Sequence, residues 1–345
     1  MSELKVDKVS PRTGNYVALN TVGMKNIIIN GDMSIAQRGT SESGIGATGG
    51  TYLLDRFEFV NVGALGTWTM SQDTDVPSAQ GFAKSLKLDC TTADAAPASG
   101  DILLLRQLIE GQNLQYLKKG TANASSLTAS FWVKSNKTGT YILELFDDDN
   151  SNRTISKSYT INSASTWEKK TLTYAGDTTG TLDNDNNASL YLNFWLGAGT
   201  DYTSGTLQTS WGAYSATDRA VGQVNLADNT ANEFYITGVQ LEAGEVASDF
   251  EFLPVDVNLA RCQRYYFDNN SVSLIARGYG SYGEAQHIFP VTMRASPTIS
   301  GSIIQANASN AVIGAYDTGI RTYALFGTGT VNYYGYNDYT VDAEL

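Results

Sequence analysis

One histidine, two cysteines and six prolines are all that this 345-residue chain holds of those residues. A single histidine, His287, argues against a Ser-His-Asp hydrolase and against a histidine-rich metal centre. Cys90 and Cys262 are too few for a disulfide framework or a zinc cluster, and read as buried thiols of a protein made in a reducing cytoplasm. Charged residues make up 17%, against about 25% in an average globular protein. The balance is acidic, at −12, so the chain lacks the basic footprint of a nucleic-acid binder. No run of 18 apolar residues occurs, so no membrane-spanning helix is expected. The opening MSELKVDKVS lacks the apolar stretch of a signal peptide.

What is present is β-forming. The chain carries 20 tyrosines, 12 phenylalanines, 5 tryptophans and 33 glycines. Aromatic residues favour strands, and glycine serves turns. Clean alternation runs through Ser85–Cys90 and Leu127–Lys134. Strand patterns follow at Tyr141–Phe146, Thr154–Ile161, Trp167–Tyr174, Leu190–Leu196 and Phe234–Leu241. Between them lie polar loops such as Asp147-Asp148-Asp149-Asn150. The expectation is an all-β chain, an antiparallel jelly-roll-type β-sandwich over 26–254. A helix is expected at 102–119, in ILLLRQLIEGQNLQYLKK. Another is expected at 255–267, after Pro254, with Leu259, Cys262 and Tyr266 on one face. Residues 268–345 read as a small C-terminal β domain.

Residues 1–25 form a separate arm of net charge +2, from Lys5, Lys8, Arg12 and Lys25 against Glu3 and Asp7. Its pattern is two short strands around a Pro11–Gly14 turn. It is too small to bury a core of its own, so it is expected to dock on another chain or domain.

Several motifs in order carry a family resemblance. They are Asn26-Ile27-Ile28-Ile29-Asn30-Gly31-Asp32-Met33, Gln37-Arg38-Gly39-Thr40 and Asp55-Arg56-Phe57. Ser130-Phe131-Trp132-Val133-Lys134, Phe234–Gly244 and Arg261-Cys262-Gln263-Arg264-Tyr265-Tyr266 continue the series. Together they resemble tail fibre and receptor-binding appendage proteins of tailed bacteriophages, and Lys5–Gly14 resembles the leading arm of such proteins in marine phages. The match covers about the first 265 residues, and the remainder matches only loosely through Phe289–Pro297. The resemblance implies a jelly-roll like that of carbohydrate-binding modules, carried on a virion and assembled in the host cytoplasm. It also implies a homotrimer, and it brings no catalytic motif.

On that reading Lys5, Lys8 and Arg12 anchor the chain to other tail proteins, and the body or the C-terminal domain binds host-surface glycan without chemistry. Strand parity sets Trp132 and, in another strand, Tyr191, Asn193 and Trp195 on otherwise polar faces, and the four together are a candidate glycan surface. Indole and phenol rings beside amides suit the C–H faces and hydroxyl rims of sugars. Cover by a loop, by the 102–119 helix or by a subunit interface is the alternative for these residues. A second glycan candidate is the tyrosine-rich stretch holding Tyr333, Tyr334 and Tyr336, with ordinary sheet packing as its alternative. Structural calcium has two candidate places. One is the Asp147–Asn150 loop, which lacks the spacing of a calcium hand; the other, implied by the resemblance, joins Asn30 and Asp32 to Glu242. A purely structural fibre protein and, less favoured, a polysaccharide hydrolase using two carboxylates are the competing functions. Nucleic acid and membrane insertion are not expected.

Overall fold

A computed structural model describes residues 24–47, 49–269, 274–278, 283–306, 308–326 and 332–345. Between 269 and 338 it describes side chains only at 288–301 and 316–319. Strands dominate. In chain order they begin β1 Ser41–Ile45, β2 Thr51–Tyr52, β3 Glu58–Val62, β4 Thr67–Asp73, β5 Ser85–Thr92 and β6 Ile102–Glu110. Then come β7 Leu127–Ser135, β8 Gly139–Asp147, β9 Arg153–Ile161, β10 Glu168–Tyr174, β11 Ala188–Ala198, β12 Gly212–Ala213 and β13 Glu233–Ala243. They form two antiparallel sheets, in the orders β1-β4-β5-β13-β7-β10 and β12-β9-β8-β11-β6-β3-β2. The fold is an antiparallel jelly-roll-type sandwich.

Period-2 alternation explains the core. Leu127, Ala129, Phe131 and Val133 of β7 face inward, as do Leu190, Leu192, Phe194 and Leu196 of β11. Phe131 meets Phe194 edge-on across the sheets at 5.0 Å. Cys90 is buried in this core, while Cys262 lies in a separate cluster with Ile29, Ile35 and Tyr265, and both are free thiols.

The helix expected at 102–119 is not formed. Residues 102–110 are strand β6, followed by two single 3-10 turns, Gly111–Asn113 and Gln115–Leu117. An unbroken apolar run fits a strand buried on both sides as well as a helix. Here Leu103 and Leu105 enter the main core, and Leu104 packs on the opposite face with Val60, Ile142 and Trp195.

Helix α1 is a single turn, Thr200–Thr203, and α2 spans Val255–Gln263 behind Pro254. Cys262 and Leu259 of α2 turn inward as expected, but Tyr265 completes that face. Tyr266 instead opens β14, Tyr266–Asn269. The remaining strands are β15 Leu274–Gly278, β16 Gly283–Ile288, β17 Thr298–Ala306, β18 Ala308–Tyr316, β19 Gly319–Phe326 and β20 Asn332–Asp342. β14, β15 and β17 all pair with β20, and β16-β19-β18 form a small three-stranded sheet.

The outgoing end of β20 is tied back to the sandwich. Arg56, 1% exposed, pairs with Glu344, donates to Leu108 O at 2.6 Å and stacks over the Tyr265 ring at 3.5 Å. Arg38 reaches Asp342 at 3.2 Å and Glu344 at 3.4 Å. Arg294 donates to the carbonyls of Ala343 and Glu344 at 2.8 and 3.0 Å.

Candidate functional site

Trp132 and the trio Tyr191, Asn193 and Trp195 sit on opposite sides of the molecule. Trp132 points out from the first sheet and the trio points out from the second, with the core between them. The four residues therefore form no common platform. Parity within a strand is a local property, whereas the sheet to which a strand belongs is decided by distant pairing.

The outer face of the second sheet is roofed. The segment from Gly199 to Gln223 crosses it and brings Tyr202, Leu207 and Ala220 onto Trp195 and Leu104. Trp195 is 0% exposed and Asn193 1%, so neither can stack on or bond a sugar at the surface. Both are instead donors to a buried carboxylate. Glu144 accepts from Asn193 Nδ2 at 2.9 Å and from Trp195 Nε1 at 3.2 Å. Arg219, from the roof, completes the set with a two-pronged bond at 2.8 and 2.7 Å. Its guanidinium also lies 5.0 Å from the Phe146 and Trp195 rings. Tyr191 stays half-buried, donating to Asp148 at 2.7 Å and stacked on Phe146 at 5.3 Å. Burial, reinforced by Asp148, pushes its phenol pKa up.

The outer face of the first sheet is open at its β7–β10 side. Trp132 is half-buried there, opposite Lys169 of β10 and Thr237 of β13. One step along, Lys134 lies 4.1 Å from the Tyr235 ring centre and 5.7 Å from that of Trp167. Trp167 and Tyr235 meet edge-on at 6.2 Å. Asp75 holds the group together, pairing with Lys134 and accepting from Trp167 Nε1 at 2.8 Å. Burial works against the Asp75 charge, but these two donors win and hold its pKa below the usual carboxylate value. Lys87 pairs with Glu233 at 2.6 Å and lies 5.4 Å from Tyr235. Burial pushes the Tyr235 phenol up to about 12. Trp132, Trp167 and Tyr235 with two lysines thus line one face, with indole, amine and carboxylate groups side by side. Trp167 and Tyr235 were legible only as strand residues. Tyr235 has outward parity between Phe234 and Ile236, yet its ring is only 7% exposed and backs Lys134 and Trp167.

The other sites are placed as follows. Asn30 spends its amide on Ile35 and Asp55 backbone groups, and Asp32 accepts from Ser34 and Asn258. Glu242 accepts from Gln240 and Ser248 in a separate network. In the Asp147 loop a lysine takes the place a cation would have. Lys119 pairs with Asp147 and with Asp177 at 3.0 Å, and Arg153 grips Asp177 at 2.7 and 2.9 Å. Among the described residues no group of three or more His, Cys, Asp or Glu side chains is placed to hold a metal ion. Tyr333, Tyr334 and Tyr336 occupy β20, opposite Arg277, Ala276 and Leu274 of β15, but their side chains lie outside the described residues. Lys5, Lys8 and Arg12 lie outside them altogether.

One buried pair fixes an acid limit on the fold. Glu110 is fully buried and accepts from Arg264 at 2.9 and 2.7 Å, from Tyr265 and from Gln112. Burial alone would raise its pKa, yet these donors hold it below the ordinary 4.5. A folded pKa below the unfolded one stabilises the protein above the unfolded value, and that contribution drains away as pH falls through the folded value. The melting temperature is therefore expected to drop more steeply below pH 4.5 in the wild type than in Glu110→Gln. Parallel slopes for the two proteins would contradict this.

No family model matches the chain, and no curated protein matches it. Among solved structures it is similar to a putative sugar-binding protein from Bacteroides thetaiotaomicron, at 13% identity and TM-score 0.34, over 64% of this chain and 100% of that one. It is similar to a family 30 carbohydrate-binding module at 11% identity and TM-score 0.30, over 67% and 93%. It is also similar to the enzymatically active domain of tailspike protein 4 of bacteriophage CBA120, at 15% identity and TM-score 0.32. That match covers 63% of this chain and 21% of the tailspike chain.

Proposed function

We propose that this chain is a tailed-phage virion appendage that attaches through its N-terminal arm and binds host-surface glycan. The single observation that carries the binding reading is the open side of the first sheet, with half-buried Trp132 and Trp167 beside Lys134, Lys169 and Asp75 and the buried Tyr235 ring behind them. A pyranose ring has an apolar C–H face that stacks on an indole and hydroxyls that bond amines and carboxylates. No bond is broken in this reading. Each site is weak, and a homotrimer would multiply weak sites by avidity. The phage assignment and the anchoring role of Lys5, Lys8 and Arg12 rest on the motif series read from the sequence.

The test is adsorption of purified protein to host cells. Trp132→Ala and Trp167→Ala are expected to weaken adsorption by about tenfold or more, as truncation of a central aromatic anchor does. Both side chains are half-buried, so melting should move by only a few degrees. Folded variants that adsorb like wild type would remove the sheet face as the binding site. A chain lacking residues 1–23 is expected to fold and yet be missing from assembled particles. Its presence on purified virions would refute the anchor.

A further inference from the structure

A cavity of about 560 Å³ opens between strand β6, the segment after Met24 and the face of α2. That is within the roughly 300–1,000 Å³ typical of small-molecule sites. One wall is apolar, made by Ile27, Ile29 and Leu108.

Most polar groups around it are already committed. Gln107 bonds both backbone groups of Ile29, at 2.8 and 2.9 Å. Arg264 and Gln112 are spent on Glu110. Three groups are not. The Asn113 side chain and the Tyr116 hydroxyl have no hydrogen-bond partner among the described residues, and the Tyr116 ring is 52% exposed. The third is Arg261. Its Nη2 donates to Asn26 O at a long 3.3 Å, and its Nη1 is buried with no partner.

Arg261 differs in kind from the other arginines packed against this part of the fold and its roof. Arg56, Arg219 and Arg264 each grip a carboxylate, whereas Arg261 has none within 4.0 Å among the described residues. Burial accordingly pulls its pKa below the ordinary value, while theirs is raised by their partners. A second void that Arg261 lines, beside Asp32 and Glu251, measures about 10 Å³, room for one water at most. Arg261 also lines the large cavity, which has room for a counter-ion. A largely desolvated guanidinium with no paired carboxylate is costly, and such a group in a cleft is a candidate to be completed by a ligand.

We propose that this cavity binds a carboxylated sugar, its carboxylate on Arg261, its hydroxyls on Asn113 and Tyr116, and its C–H face against the Ile27–Leu108 wall. A lone guanidinium matches a monoanionic carboxylate. The apolar wall and the two neutral polar groups match a pyranose ring. The choice of a sugar over a simple acid rests on the glycan-binding reading of the chain, but the site is distinct from the sheet face.

The test is calorimetric titration of the full chain with glucuronate, glucose and acetate. Glucuronate is expected to bind at least about tenfold more tightly than either control, a difference of about 1.4 kcal/mol. Arg261→Gln should erase that preference. Tyr116→Ala, whose ring is half in solvent, keeps the fold and should weaken glucuronate by several-fold. Trp132→Ala should leave glucuronate binding unchanged, so loss of host adsorption and loss of this site are read separately. Equal affinity for glucuronate and glucose, acetate binding as tightly as glucuronate, no binding of glucuronate, or a folded Arg261→Gln that keeps the preference would each overturn the proposal.

Discussion

Arg219→Met is expected to destabilise the protein by about 3–5 kcal/mol, the usual cost of stripping the partner from a buried charge. The carboxylate left behind, Glu144, is 0% exposed and would retain only Asn193 and Trp195 as donors. The loss goes beyond the ion pair. Arg219 is the cation around which Phe146, Trp195 and Tyr214 pack. Once the side chain is gone the 199–223 roof keeps its backbone and amide ties, such as Ser156 N to Gln208 O at 2.7 Å and Ile142 N to Gln223 Oε1 at 2.8 Å, but loses its charged link to the sheet. Urea unfolding measures the stability loss, and the near-ultraviolet signal of Trp195 reports the roof. Because a buried pair is often replaceable by apolar residues of similar volume, Arg219→Met combined with Glu144→Leu should recover most of the loss. If the single variant costs under about 1 kcal/mol, the roof is held without help from the Arg219–Glu144 pair.

A loss of similar size, about 3–5 kcal/mol, is expected for Arg56→Met. This guanidinium joins three parts of the chain: β6 through Leu108 O, α2 through the Tyr265 ring and the C-terminal end through Glu344. Methionine would fill part of the volume but leave Glu344, 6% exposed, with only Arg38 at 3.4 Å. The effect should be local as well as global. Ala343 N donates to Tyr265 O at 2.8 Å, and this amide should lose hydrogen-exchange protection before the β7 and β11 amides do. Unchanged protection at Ala343 in a folded variant would show that β20 pairing alone secures the chain end.

Much of the sandwich was legible because alternation is a local signal. The inward residues of β7 and β11 and the burial of Cys90 follow from parity alone, and the burial of Cys262 from helical spacing. Two kinds of information were missing. The first was which strands share a sheet, since β7 pairs with β13 more than 90 residues later, as at Phe234–Ser135. Trp132 and Trp195 were therefore separable only once the pairing was known. The second was what covers a sheet face. The continuous apolar run of β6 carried that signal, because Leu104 needs a partner outside the main core, but the same run also fits a helix. Arg219 and Arg261 gave no sequence signal at all, since a cation's counter-ion or lack of one is a tertiary fact.

The incoming strand β14 and the outgoing strand β20 lie side by side, Tyr266 opposite Asp342 and Phe267 opposite Val341. Antiparallel partners place such residues about 4.5–5.5 Å apart. The C-terminal strands are thus rooted on the sandwich by two neighbouring chain ends, in the manner of a graft on a stem. An unrelated sequence whose ends can pair as two adjacent strands could take the place of residues 271–338, while the sandwich keeps its core and Arg38 and Arg56 keep their partners; the ties made by Arg294, inside that segment, would be lost. The same root also means that the two ends are held differently: Tyr266 follows α2 closely in the chain, whereas the outgoing end beyond Asp342 is held by the partners of Glu344 and Ala343.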